Sequence, residues 1–158
     1  MSAPARAVVI GIGNVFRRDD GIGPAVAAAL DADAAGVKVV TCAAEPAAIL
    51  DAWTGAEVAV VIDAAVGPQP GAVLRCAPGE LSDSNPVSSH ELSLRQTVEL
   101  GRALGRAPRS VAVVAVGVAD TGHGEGLSPG VAAALPEALA VVRAVLAEQT
   151  QEPAHQLP

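Results

Sequence analysis

The sequence predicts a three-layer α/β/α fold, with a mostly parallel central sheet of about five strands and helices on both faces. Three observations predict it. Short, nearly continuous apolar runs recur at 7–12 (AVVIGI), 57–63 (EVAVVID) and 110–118 (SVAVVAVGV), as strands buried on both faces require. Alanine- and leucine-rich stretches of helical length alternate with them. Finally, 158 residues that are 51% hydrophobic and 1% aromatic force an aliphatic core of a size that suits one domain.

Each element has its own signal. Residues 7–12 form the first strand, after a short lead. The loop GNVFRRDDG follows it, then a helix over 22–32 that tolerates Pro24 only in its first turn. Residues 37–41 form a second strand, 45–53 a short helix, and 57–63 a third strand ending on Asp63. A turn with Gly67, Pro68 and Pro70 leads to 72–76, whose weak alternation predicts a more exposed fourth strand. After a polar loop over 77–87, Ser88 and Glu91 have capping-box spacing at the start of a helix running to about 104. The fifth strand spans 110–118, followed by a glycine-rich loop over 119–127. Ser128 and Pro129 form an N-cap and N1 pair for a last helix to about 147, broken or kinked at Pro136. The expectation is one domain over 1–158, with an ordered core at about 7–147 and a flexible polar tail over 148–158.

Charge and cysteine usage narrow the partners. Ten basic against seventeen acidic residues give a net charge of −7, a poor surface for nucleic-acid phosphates. Two cysteines, Cys42 and Cys76, make no disulfide-dense scaffold. No apolar run reaches 18 residues and the start has no signal-peptide pattern, so no membrane contact and a cytoplasmic location are expected, as is a monomer.

Ligands of such sheets bind beyond the carboxyl ends of the strands, and the polar residues of interest fall there. Gly11-Ile12-Gly13 lacks the third glycine of a dinucleotide fingerprint, having Phe16 in its place, and reads as a tight turn with close backbone approach. In the first loop, Asp19 reads as a helix cap and Asp20 as a carboxylate aimed into the cleft. Arg17 and Arg18 are either solvated or hold a carboxylate or backbone partner. Asp63 is delivered by a buried strand and needs a partner, a metal or water, the alternative being a turn or cap aspartate. With Ser88 as N-cap, His90 lies in the first helical turn, where the helix dipole keeps the imidazole neutral, as a divalent metal requires; on its own, a first-turn histidine is more often a surface residue. Asp20, Asp63 and His90 make a plausible three-ligand set with positions open for water or substrate.

Other readings carry less. Asp120-Thr121-Gly122 matches the aspartic-protease triplet but occurs once, in an α/β pattern. Asp120, His123 and Glu125 could cluster on a metal. Cys42 could be a nucleophile, although a small buried thiol is the plainer reading.

The stretch GIGNVFRRDDGIGPAVAAAL resembles the opening signature of the [NiFe]-hydrogenase maturation endopeptidases, and VVIDA, SSHELSL and GEGLSPGV resemble their later blocks in the same order. The resemblance covers about residues 7–147. It implies a metal site at Asp20, Asp63 and His90, able to take another divalent metal in the isolated protein. Asp20 stands where the family often has Glu. The segment Thr41-Cys42-Ala43-Ala44-Glu45-Pro46 stands where the family commonly has glycines. The implied activity is a metal-dependent endopeptidase that removes the C-terminal extension of a nickel-loaded large-subunit precursor. Nickel arrives with that substrate, and Asp20 or Asp63 shuttles the proton. Backbone amides around Gly11–Asn14 or Gly122–Gly126 are expected to steady the oxyanion. The competing classes are a non-enzymatic metal- or ligand-sensing module and a hydrolase of a small substrate.

Overall fold

Two strands without a single exposed residue form the centre of the sheet: β1 (Ala7–Ile12) and β3 (Val58–Ala65). In the computed structural model, which describes residues 7–31, 36–78 and 89–155, they pair in parallel, with Ala7 opposite Val58. The sheet has five strands in the order β2-β1-β3-β5-β4, with β2 at Val37–Cys42, β4 at Val73–Cys76 and β5 at Ser110–Gly117. Four strands are parallel. The edge strand β4 runs antiparallel to β5, Val73 opposite Val116, and its side chains are half-buried or exposed, as the weak alternation predicts.

Helices cover both faces. On one, α1 (Ile22–Asp31) and α5 (Leu135–His155) pack over Val9, Val60, Ile62 and Val114. On the other, α2 (Pro46–Trp53) and α3 (Ser89–Leu104) cover Val8, Ile10, Val61 and Val113 through Ile49, Trp53, Leu94 and Val98. Alternate residues of each strand thus feed two separate aliphatic cores, the three-layer arrangement that the composition predicts.

The last helical segment differs in detail from its prediction. It breaks at Ala134, between a short α4 (Pro129–Ala133) and α5, so Pro136 sits in the first turn of α5, where its missing N–H costs nothing. The helix then continues to His155, past the predicted end near 147. Pro153 leaves the carbonyl of Gln149 without a helical donor, and Arg109 Nη2 reaches that oxygen at 3.4 Å. The expected capping box at Ser88 lies outside the described residues.

Candidate active site

The strand order reverses between β1 and β3, so the chain leaves these neighbours in opposite directions and opens a crevice at their carboxyl ends. Asp20 comes from the loop after β1, and Asp63 from β3 itself.

The first loop is a tight reversal. Gly13 N–H donates to the Cys42 carbonyl at 3.2 Å. A Cβ on Gly13 would overlap the Asp20 carbonyl, so only glycine fits. Asn14 Oδ1 accepts the Phe16 N–H at 2.9 Å, closing an Asx turn. A 3-10 turn follows at Arg18–Gly21 and packs against β3. Helix α1 starts directly behind it. A Cβ on Gly23 would lie 2.7 Å from the Ile62 carbonyl, so glycine lets the helix press onto the sheet beside Asp63. The glycines of this region serve close approach, as read from the sequence.

Adjacent aspartates in this turn do different things. Asp19 is completely buried. Its carboxylate accepts Ala119 N–H and Asp120 N–H at 2.9 Å each, Ser128 N–H at 2.6 Å and the Ser128 hydroxyl at 2.9 Å. Burial pushes its pKa up, but the bonds from Ser128, Asp120 and Ala119 outweigh this and hold the carboxyl below its ordinary value. Asp19 is therefore no cap of α1. It ties the first loop to the 119–128 loop, and it takes the Ser128 hydroxyl that the sequence assigns to capping the last helix.

Backbone bonds extend this tie: Arg18 N–H to Gly124 O, Asp19 N–H to Asp120 O, and Gly124 N–H to Phe16 O, each 2.9 Å. They hold Arg18 at φ 47°, a left-handed conformation that costs a non-glycine residue about 1–3 kcal/mol. The arginines serve the same junction. Arg17 Nε donates to the Thr121 carbonyl at 3.1 Å, and Arg18 lies 3.6 Å from the Asp120 carboxylate.

Asp20 is 7% exposed. Its Oδ2 accepts the Asn14 N–H at 2.9 Å, and its other oxygen has no hydrogen-bond partner among the described residues. One oxygen is thus fixed by the backbone of its own loop.

Asp63 is also buried, and its Oδ1 accepts the Ala64 N–H at 2.9 Å. The strand runs two residues past it, to Ala65, so Asp63 does not end β3 as the sequence predicts. Pairing with β1 stops at Ile62 while pairing with β5 continues, and this frees the β1 side of β3 at that level. Asp63 alternates with Val61 and Ala65, which puts its side chain on the face covered by α3. His90 is the second residue of α3, one turn before the buried Leu94. Its side chain lies outside the described residues.

The expected oxyanion donors are largely engaged. The amides of Gly13, Asn14, Gly122 and Gly124 already donate to Cys42 O, Asp20 Oδ2, Asp120 Oδ1 and Phe16 O. Asp120-Thr121-Gly122 is a closed turn, with Asp120 bonded to its own Gly122 amide. Among the described residues no group of three or more His, Cys, Asp or Glu side chains is placed to hold a metal, which removes the Asp120, His123 and Glu125 cluster. Burial, then the Glu45 charge, raises the Cys42 thiol pKa, so it stays protonated and is no poised nucleophile. The segment after β2 closes without glycine: Glu45 N–H bonds Ala43 O at 2.8 Å and extended Glu45 precedes Pro46 at the start of α2.

A family model described as hydrogenase maturation protease matches residues 24–145. The chain belongs to the hydrogenase maturation protease family. The matched segment contains Asp63 and His90 and begins just after Asp20. Among solved structures, the Escherichia coli hydrogenase maturating endopeptidase HybD is 26% identical, with a TM-score of 0.78 over 91% of this chain and 93% of that one. The [NiFe] hydrogenase maturation protease HybD from Thermococcus kodakarensis shares the fold at 22% identity, with a TM-score of 0.73 over 89% of this chain and 98% of that one. No curated protein sequence matches the chain. A member of this family is a protease, and this sets aside both the binding module and the small-substrate hydrolase. Among the described residues no helix is long and apolar enough to cross a membrane.

Proposed function

We propose that the crevice between β1 and β3 removes the C-terminal extension of a nickel-loaded [NiFe]-hydrogenase large-subunit precursor, and that Asp20, Asp63 and His90 are its metal-facing residues. The observation that carries the assignment is a pair of buried carboxylates, Asp20 and Asp63, at the reversal point of the sheet in a chain of this family. Buried carboxylates persist where a bond, an ion or a proton compensates them. Two carboxylates and one imidazole suit a divalent ion of intermediate softness, and in the isolated protein the same set would take another divalent metal.

Nickel belongs to the substrate in this scheme and would polarise the scissile carbonyl or lower the pKa of a bound water. The chain's own groups do the rest. Asn14 N–H fixes one oxygen of Asp20, so the other can accept a proton in one defined direction. Ala64 N–H orients Asp63 in the same way. The committed amides of the first loop leave little backbone to stabilise an oxyanion, which favours charge stabilisation by the substrate's own metal.

Mass spectrometry of a nickel-loaded precursor tests the reading. Loss of one C-terminal peptide with the wild-type chain, absent with Asp63→Asn and without nickel, is the expected result. Cleavage that ignores both changes would refute it.

A further inference from the structure

The chain contains one phenylalanine and one tryptophan. Trp53 is completely buried, whereas Phe16 is 62% exposed. Burying a phenylalanine stabilises a fold by about 1.5–3 kcal/mol, a gain this aromatic-poor chain forgoes at Phe16. The residue does not sit on a loose tip. Its N–H is held by Asn14 Oδ1 and its carbonyl by Gly124 N–H, each at 2.9 Å. It precedes Asp20 by four residues on the same pinned loop. Val15 beside it is 46% exposed, and Val66, 52% exposed, follows β3, the strand that carries Asp63. Both loops bordering the crevice thus present apolar side chains to solvent.

We infer that Phe16, supported by Val15 and Val66, is the anchor on which the precursor protein docks its folded surface while its tail enters the crevice. The inference rests on the proposed function. Aromatic residues, phenylalanine included, are enriched at interface cores, and one on a preordered backbone loses little freedom when it is covered. The occupant follows from position. A second copy of this chain seated there would close the crevice against the tail, whereas the substrate must cover this rim in order to be cut. Exposed Arg17, next in the chain, adds a basic border on a protein of net charge −7, and suits a polar or acidic partner surface around the apolar contact.

The test measures both cleavage and direct binding of nickel-loaded precursor, with wild type, Phe16→Ala, Phe16→Leu and Val66→Ser. Phe16→Ala should raise KM and Kd about tenfold, the scale of one hot-spot contact, with kcat within about twofold and an unchanged melting temperature. Phe16→Leu should recover most of the loss, and Val66→Ser should shift KM less, in the same direction. Unchanged KM and Kd in Phe16→Ala, with wild type cleaving normally, would overturn the inference and leave the function intact. So would a fall in kcat at constant KM, or a wild-type dimer that Phe16→Ala dissolves. Phe16-dependent binding without any cleavage would overturn the proposed function instead.

Discussion

The two ends of the sheet use the same residue types for opposite purposes. At the amino end and along the edge strand β4, three arginine–carboxylate pairs lie in solvent: Arg75 with Glu148 at 2.8 Å, Arg106 with Asp51 at 3.0 Å and Arg109 with Glu57 at 3.9 Å, with side chains 38–79% exposed. At the carboxyl end, Asp19, Asp20 and Asp63 are buried, and each accepts at least one backbone N–H. Water screens the first set, so those pairs steady surface segments and little more. The second set is withdrawn from water, so each bond fixes a backbone geometry and each missing bond is costly. Buried carboxylates are thus concentrated at the carboxyl end of the sheet.

Substitutions within the carboxyl-end set should separate two roles that sequence neighbours share. Asp63→Asn and Asp20→Asn should lower kcat/KM for the precursor by about 10²–10⁴-fold while leaving the melting temperature nearly unchanged, because each amide keeps one oxygen for its N–H donor. Quantitative mass spectrometry of the released peptide reads the first effect, and calorimetry the second. Either variant cleaving at the wild-type rate would remove that residue from the active site.

Asp19→Ala should show the reverse emphasis. It leaves three partly buried amides and a hydroxyl without their acceptor, a cost of about 3 kcal/mol, or about 6–12 °C in a chain of this length. Activity should fall as well, since Arg18 then loses part of what holds its left-handed backbone and the turn bearing Asp20 loosens. A melting temperature within a degree or so of wild type would show that the two loops are joined by other means.

The pH dependence of stability gives a subtler separation. The folded-state pKa of Asp19 lies below its ordinary value, so its contribution is complete above the unfolded pKa and is lost as pH falls through the folded one. Urea midpoints of the wild type should therefore drop below about pH 4, and the drop should be shallower in Asp19→Asn. Parallel curves for the two proteins would mean that other carboxylates govern acid unfolding.

The contrast between Asp19 and Asp20 also marks how far the sequence could be read. Layer order, the buried strands β1, β3 and β5 and the exposed edge strand follow from hydrophobic periodicity, which is local and strong. Asp63 could be singled out because it closes the apolar run VAVVID, and Asp20 because it lies in the charged loop after the first strand. The role of Asp19 could not, since its donors lie about 100 residues away, at Ala119, Asp120 and Ser128. No local pattern encodes that pairing. The hint available was two consecutive aspartates beside a pair of arginines, with Ser128 followed by proline, and it pointed to caps. The same limit applies to the oxyanion donors. A glycine-rich loop predicts accessible amides, but whether they are already engaged depends on a facing loop that only folding brings near.

The solvent-exposed pairs give the smallest expected effect and the cleanest control. Arg75 holds Glu148 through two bonds, 2.9 and 2.8 Å, a geometry that raises the arginine pKa through its bond to Glu148 and lowers that of the glutamate for the same reason. Favourable geometry does not make the pair strong, because both partners remain open to solvent and ordering two long side chains opposes the attraction. Arg75→Ala, Glu148→Ala and the double variant should each melt within about 2 °C of wild type, and molar salt should erase the coupling between them. The loss in Asp19→Ala should survive the same salt, since mobile ions do not reach a buried carboxylate. If salt weakened both sets alike, burial would not be what distinguishes them, and the carboxyl-end network would have to be treated as one more set of surface contacts.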